Sequence, residues 1–296
     1  MDSGLLIIDK PSGWTSHQVV GRVRRLMGTR KVGHAGTLDP MATGVLVVGV
    51  GRATRLLGHL ALHDKDYTAT IRLGVATLTD DAEGEIVSTA DASALTDEQI
   101  EAAMGPLRGD IMQVPTAVSA IKVNGRRSYA RVRAGEQVEL AARPVTVSRF
   151  ECTALRRTVG QEGTVVDLDA EVSCSTGTYV RALARDLGAA LGVGGHLTAL
   201  RRTRIGPYRL PDVAVDPSDE APRPEMMTMA QAARLSFPVV ELDAAQEADL
   251  RVGRRLEMVV PADPTAMISA ATGELLALYR PDAEPPGWSR AVAVLV

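Results

Sequence analysis

Gly33-His34-Ala35-Gly36-Thr37-Leu38-Asp39-Pro40-Met41-Ala42-Thr43-Gly44 is the most informative stretch of this 296-residue chain. Its three glycines permit backbone angles closed to other residues and let a second backbone approach closely. Asp39 stands before a proline, which biases it toward an extended conformation and holds its carboxylate in one direction. Residue type alone leaves a second reading open, because Asp-Pro is also a common turn dipeptide. A phosphate-binding loop is excluded: there is no Gly-x4-Gly-Lys-Ser/Thr pattern, and no Gly-x-Gly-x-x-Gly follows the first strand.

Upstream of this loop, the apolar run Gly4–Ile8 predicts a buried strand. Ser16 offers an N-cap for a helix carrying Val19, Val20, Val23, Leu26 and Met27, which ends at Gly28. Downstream, Val45–Val50 reads as a second buried strand and Tyr67–Leu73 as a half-buried one. Thr96 caps a helix with Ile100, Ala103 and Met104, and Asp97 and Glu98 suit its positive end. Strands follow at Val145–Leu155 and Thr164–Ser173, then a helix from Thr178 to Leu191 ended by Gly192. Strands and helices mix without strict β-α-β alternation, so the fold class is α+β. The prolines and acids of 211–238 have the composition of a linker. Beyond them, a short helix over Asp243–Arg251 and strands at Leu256–Val260, Ala266–Ala270, Leu275–Tyr279 and Ala291–Val296 suggest a small β-rich module. The expected division is therefore 1–236 and 237–296.

Apolar residues make up 45% and charged residues 23%, which excludes a mostly disordered chain. The net charge of −3 hides an uneven distribution. Residues 1–60 carry eight basic and three acidic residues, and 111–135 carry five basic residues (Lys122, Arg126, Arg127, Arg131, Arg133) and no acid. Acid is concentrated in 80–110 and 212–249. Such a distribution can offer a positive face to a polyanion. Two isolated cysteines, Cys152 and Cys174, argue against a disulfide scaffold, and the histidines lack metal-ligand spacing, so no metal site is expected. The longest stretch without Asp, Glu, Lys or Arg, Leu187–Leu200, is too short and glycine-rich to span a bilayer. With no signal-peptide pattern at its start, the sequence reads as a reduced, cytoplasmic protein with no membrane partner.

The Gly33–Gly44 stretch resembles the catalytic motif of the bacterial tRNA pseudouridine synthase B family. Further blocks resemble that family in the same order: Asp9-Lys10-Pro11-Ser12-Gly13-Trp14-Thr15-Ser16, Lys65-Asp66-Tyr67 with Leu73-Gly74, Ser119–Gly125 with Tyr129-Ala130-Arg131, Gly177-Thr178-Tyr179-Val180-Arg181, Asp186-Leu187-Gly188, and Leu200-Arg201-Arg202-Thr203. The region from Leu250 to Arg254 is similar, more loosely, to a PUA-type RNA-binding module. The resemblance implies a pseudouridine-synthase fold, with a mixed, largely antiparallel sheet, flanking helices and a PUA-like C-terminal module. It implies isomerisation of a T-loop uridine of tRNA, position 55, by base flipping.

Carried over residue by residue, it makes Asp39 the catalytic carboxylate, Arg181 the cation that pairs with it, Tyr67 the ring that stacks on the flipped base, and Tyr179 a second active-site phenol. Leu200 is implied as an apolar pocket residue and His34 as the histidine that fills the gap left by the base. The segment 111–135 is implied to close over the tRNA T-arm stem-loop, with Lys122, Arg126 and Arg127 neutralising phosphates in a salt-sensitive way; Lys10 is expected among the RNA contacts. The reaction neither oxidises nor adds a group, so no cofactor is needed, and a single RNA arm as partner requires neither a dimer nor another protein. Asp81, in Thr77–Gly84, lies in a family-like turn and is left outside the catalytic set.

Three other readings remain. A related synthase acting on guided RNA within a larger particle is disfavoured by the bacterial-type insertion and the lack of basic tails. A non-catalytic RNA-folding protein is disfavoured by the intact Asp39, Tyr67, Tyr179 and Arg181. A glycosidase would need a pair of carboxylates flanking the bond, and only Asp39 stands in a recognisable motif.

Overall fold

The computed structural model describes residues 3–116, 122–123, 126–127, 140–160, 163–210, 215, 217, 224–284 and 286–296. In chain order, β1 (Gly4–Lys10) leads to α1 (Ser16–Met27), β2 (Val32–Ala35), β3 (Thr43–Val50), the short helix α2 (Leu57–Leu60), β4 (Lys65–Leu73), β5 (Val75–Thr77) and β6 (Ile86–Thr89). Then come α3 (Asp97–Met104), β7 (Gly109–Gln113), β8 (Lys122–Val123), β9 (Arg126–Arg127), the long strands β10 (Arg143–Gly160) and β11 (Gly163–Cys174), α4 (Val180–Ala190), β12 (Gly195–Ile205) and β13 (Tyr208–Arg209). The C-terminal elements are β14 (Met227–Thr228), α5 (Met229–Ser236), β15 (Val239–Leu242), α6 (Ala244–Arg251), β16 (Thr265–Ser269), β17 (Leu275–Pro281) and β18 (Ser289–Val294). The architecture is α+β, as expected.

The chain forms two compact units. Unit 1 comprises Met1–Asp39, Gly44–Ala61 and Ile205–Val296; unit 2 comprises Pro40–Thr43 and Leu62–Arg204. In unit 1, β1 pairs antiparallel with β3 and β14, and β2 with β3. The unbroken apolar runs of β1 and β3 arise because both strand faces are covered. Leu6, Ile8, Leu46, Val48 and Val50 pack under α1 through Val19, Val20 and Val23. On the other face, Leu5, Val45 and Val47 join Ala232 and Ala233 of α5, and also Ala266, Ile268, Leu275, Leu278 and Leu295 from the C-terminal sheet. That sheet has the order β15-β16-β17-β18, with one parallel pair, β15–β16, and antiparallel pairs elsewhere. Its far face holds Leu242, Leu250, Met267, Leu276 and Tyr279.

In unit 2, the strand order is β12-β4-β11-β10-β7. The β4–β11, β10–β11 and β7–β10 pairs are antiparallel. β11 alternates cleanly, with Val166, Leu168, Ala170, Val172 and Cys174 buried. α4 packs against the start of β12 almost backbone to backbone. A Cβ on Gly188 would lie 2.2 Å from Gly194 C and Gly195 N, so only glycine fits.

Several sequence expectations are corrected. Thr15, not Ser16, caps α1, in a reciprocal box with Gln18; Gly28 ends the helix in the left-handed region, as expected. Thr178 does not cap α4; the cap position is Tyr179, one residue on, and Arg181 keeps its place in the first turn. The supposed linker 211–238 contains β14 and α5, while 211–214, 216 and 218–223 lie outside the described residues. Leu256–Val260 is not a strand; Leu256 makes only an isolated bridge to Ser289.

Candidate active site

The loop carrying Asp39 is built from the first turn of the chain. Lys10, at the end of β1, is wholly buried, and its Nζ donates to the carbonyls of Pro11 (2.8 Å) and Trp14 (2.6 Å). This closes the 11–14 turn and delivers Thr15 to its cap. Lys10 was expected among the RNA contacts; an enclosed ammonium bound to backbone carbonyls is a structural brace instead. Because Thr15 does the capping, the Ser16 hydroxyl is left to act elsewhere. It accepts from the Leu38 N–H (2.9 Å) and donates to the Leu38 carbonyl (3.0 Å), 22 residues away. The residue next to Asp39 is thereby fixed at both backbone groups. Gly36 (φ 83°) and Gly44 (φ 98°) supply the left-handed angles on either side. His34 lies on β2 opposite Val48, its ring edge-on to that of His17 with centroids 6.1 Å apart.

The other expected site residues belong to unit 2. Tyr67, 8% exposed, is on β4 opposite Val172, and Leu200 is buried on β12, the neighbour of β4. Lys65 shares the buried face of β4 with Tyr67. Its Nζ donates to the His63 carbonyl (2.6 Å), and burial, aided by the Arg202 guanidinium, pushes its ammonium down to about 8.

Arg181, in the first turn of α4, is 5% exposed. Its Nη1 donates to the Thr79 carbonyl (2.8 Å) and lies 3.1 Å from the carboxylate of Asp81, itself 3% exposed. The second Asp81 oxygen accepts from the Thr79 hydroxyl and from the Glu83 N–H. The 77–84 turn is shaped for this. Asp80 takes a positive φ of 60°, and a Cβ on Gly84 would meet the Thr79 hydroxyl at 2.3 Å. One helical turn on, Arg185 faces Asp80 (3.3 Å), whose carboxyl is pushed up by burial against the opposing pull of Arg185. The ladder of Asp81–Arg181 and Asp80–Arg185 binds turn to helix. The Thr79 carbonyl and the Asp81 carboxylate together hold the buried Arg181 guanidinium in one orientation.

Asp81 is thus the acid that meets Arg181, a place the sequence did not give it; two adjacent acids in one turn gave no sign of which would meet the arginine. Gln113, whose side chain bonds to both backbone groups of Tyr179, carried no sequence signal at all. Of the expected RNA-gripping segment, the described parts are 111–116 and the backbone pair β8–β9, in which Lys122 opposes Arg127 and Val123 opposes Arg126. The remainder of 111–135 lies outside the described residues. Among the described residues, no group of three or more His, Cys, Asp or Glu side chains is arranged to hold a metal ion, and no helix is long and apolar enough to cross a membrane.

Comparison with known proteins bears on the same elements. Residues 24–180 match the model of the TruB family pseudouridylate synthase N-terminal domain, residues 181–221 the tRNA pseudouridylate synthase B C-terminal domain, and residues 237–296 the tRNA pseudouridine synthase II C-terminal domain. The chain is 69% identical over 297 residues to tRNA pseudouridine synthase B of Cutibacterium acnes, covering 100% of this chain and 99% of that protein. It is 54% identical over 294 residues to the protein of the same name from Streptomyces griseus, covering 98% and 96%. Among solved structures, it is similar to a chain of the archaeal box H/ACA sRNP Nop10–Cbf5 complex, with 25% identity, a TM-score of 0.71, and coverage of 99% of this chain and 86% of that one. With matching family domains along most of its length and 69% identity to a full-length relative, the chain belongs to the TruB family of pseudouridylate synthases.

Proposed function

We propose that this protein isomerises uridine to pseudouridine in the T-loop of tRNA, at position 55, acting alone and without cofactor. The observation that carries the mechanism is the buried Arg181 guanidinium held against Asp81 at the start of α4. Isomerisation breaks the bond from ribose C1′ to N1 of the uracil, turns the base, and joins C1′ to C5. The C5 proton leaves and N1 gains one, so substrate and product have the same atoms. One carboxylate must stay ionised beside the sugar. Asp39 supplies it, and its two possible acts, attack on the sugar or removal of a ribose proton, both need the charged form. A carboxylate shielded from water takes up a proton unless a cation faces it, and Arg181 is that cation.

The target base must first leave the loop, at a cost of about a few kcal/mol. Stacking on an aromatic ring returns about 1–3 kcal/mol per base, which is the role of Tyr67. Tyr179 and Leu200 line the pocket, and His34 occupies the space that the base vacates. Lys122, Arg126 and Arg127 hold phosphates of the T-arm, and 237–296 act as a PUA-like RNA-binding module.

The test is to incubate the purified protein with an unmodified T-arm stem-loop, with no metal or cofactor added. Pseudouridine is expected at one loop uridine; its absence overturns the reading. Asp39→Asn is expected to abolish product while RNA affinity, measured by filter binding, is largely kept. Full turnover by that variant would remove Asp39 from its role.

A further inference from the structure

Gln113 is the last residue of β7 and is 2% exposed. Both ends of its amide serve a single residue. Oε1 accepts from the Tyr179 N–H (2.8 Å), and Nε2 donates to the Tyr179 carbonyl (3.1 Å). This is the paired exchange that a residue on a neighbouring antiparallel strand would make, supplied here by a side chain. Tyr179 needs it for a physical reason. It stands just before α4 in an extended conformation (φ −105°, ψ 107°), and no side chain of its own caps the helix. Helix starts leave backbone donors without intrahelical partners.

The next residues of the chain continue the fastening. The Val114 carbonyl accepts from Arg185 (2.7 Å), and the Thr116 hydroxyl donates to the Thr79 carbonyl (3.5 Å) and bonds to Asp80. The root of the segment 111–135 is therefore tied to α4 and to the turn that holds Arg181.

We infer that Gln113 is a positioning residue: it sets the backbone of Tyr179 and, through the first turn of α4, the approach of Arg181. The inference rests on the reading of Tyr179 and Arg181 as active-site groups. Gln113 itself touches neither substrate nor reacting atoms, so its loss acts on the rate through geometry, where misplacement by about 1 Å can cost on the order of a hundredfold.

The experiment uses the full chain as wild type, Gln113→Leu and Gln113→Glu. It measures single-turnover rate at saturating protein on the unmodified T-arm stem-loop, stem-loop affinity, and hydrogen exchange along α4. Gln113→Leu is expected to slow single turnover by about tenfold to a hundredfold with affinity held within about threefold, a split in chemistry rather than binding. Exchange of the Tyr179 amide rises while residues 187–190 are unchanged. Gln113→Glu keeps the acceptor and loses the donor when ionised. A buried carboxyl regains its proton more readily than an exposed one, so the rate of this variant relative to wild type rises as pH falls from about 8 to about 6.

A Gln113→Leu protein with wild-type rate and unchanged Tyr179 exchange overturns the inference, as does a Gln113→Glu ratio that is flat with pH. Should Gln113→Leu not fold, the Gln113→Glu ratio decides. Absence of pseudouridine from the wild type would overturn the proposed function instead, and Tyr179 exchange would still report on the clamp.

Discussion

Lys65 illustrates how burial acts on a single charge. Its ammonium is pushed down to about 8, first by desolvation and then by Arg202, whereas in the unfolded chain it titrates near 10.4. At neutral pH both states are protonated and the fold bears the full desolvation cost. Between about 8 and 10.4 the unfolded state binds the extra proton, so stability rises with pH through that window. Urea titrations should show wild type gaining on Lys65→Met as pH is raised from about 8 to 10; parallel curves would mean that the ammonium is not desolvated. Asp81 presents the opposite case, a buried charge matched by a partner. Asp81→Ala removes the carboxylate held 3.1 Å from the buried Arg181 guanidinium and should cost about 3–5 kcal/mol of stability, together with most of the turnover. A melting temperature near wild type would show that the pair is not as enclosed as its geometry indicates. Asp39, Tyr67, Tyr179 and Arg181 stand out as candidates in the sequence because they lie in ordered motifs. Asp81 does not, since the positive φ at Asp80 decides which acid meets the arginine. Nor does the role of Ser16: adjacent hydroxyls at 15 and 16 both suit a cap, and the choice is settled by Leu38, far along the chain.

The same limit appears among the elements. β1, β3, α1 and α3 were readable because burial on both faces of a strand and one face of a helix leaves a periodic trace. β2 and α5 were hidden by glycine in one case and by a proline-rich neighbourhood in the other. α4 shows most plainly what packing demands of an element. Gly188→Ala should destabilise unit 2, because the added methyl meets the backbone of 194–195 at 2.2 Å and overpacking of this kind costs about 1–3 kcal/mol or more. Gly21→Ala on α1 is the matched control: nothing lies within 4 Å of its Cβ, and replacing a helical glycine is worth up to about 1 kcal/mol in stability. Thermal unfolding of the two variants should shift in opposite directions; a shift of the same sign in both would refute the close contact.

On the scale of the whole molecule, the sequence suggested a separable module beyond 236, and the family match begins at 237. Yet Ala266, Ile268, Leu275, Leu278 and Leu295 share one apolar cluster with Leu5, Val45 and Val47. Linker-like composition cannot reveal this, because packing between distant segments leaves no local pattern. Truncation after residue 236 should therefore do more than weaken RNA binding. It strips from one face of the β1–β3 sheet the apolar cover given by Ala266, Ile268, Leu275, Leu278 and Leu295, and the product should be insoluble or should bind a hydrophobic dye; a monomeric fragment with a sharp melting transition would show the two parts to be independent. Leu5 and Leu295 meet in that cluster, and Arg52 and Arg55 donate to the carbonyls of Leu295 and Val294. Translation proceeds at about 5–20 residues per second, so β1, once made, waits on the order of 15–60 s for Leu295, its partner in the cluster, to be synthesised. During that interval part of this apolar cluster lacks its cover, so a chaperone that holds apolar surface should find its binding site here until β18 is in place.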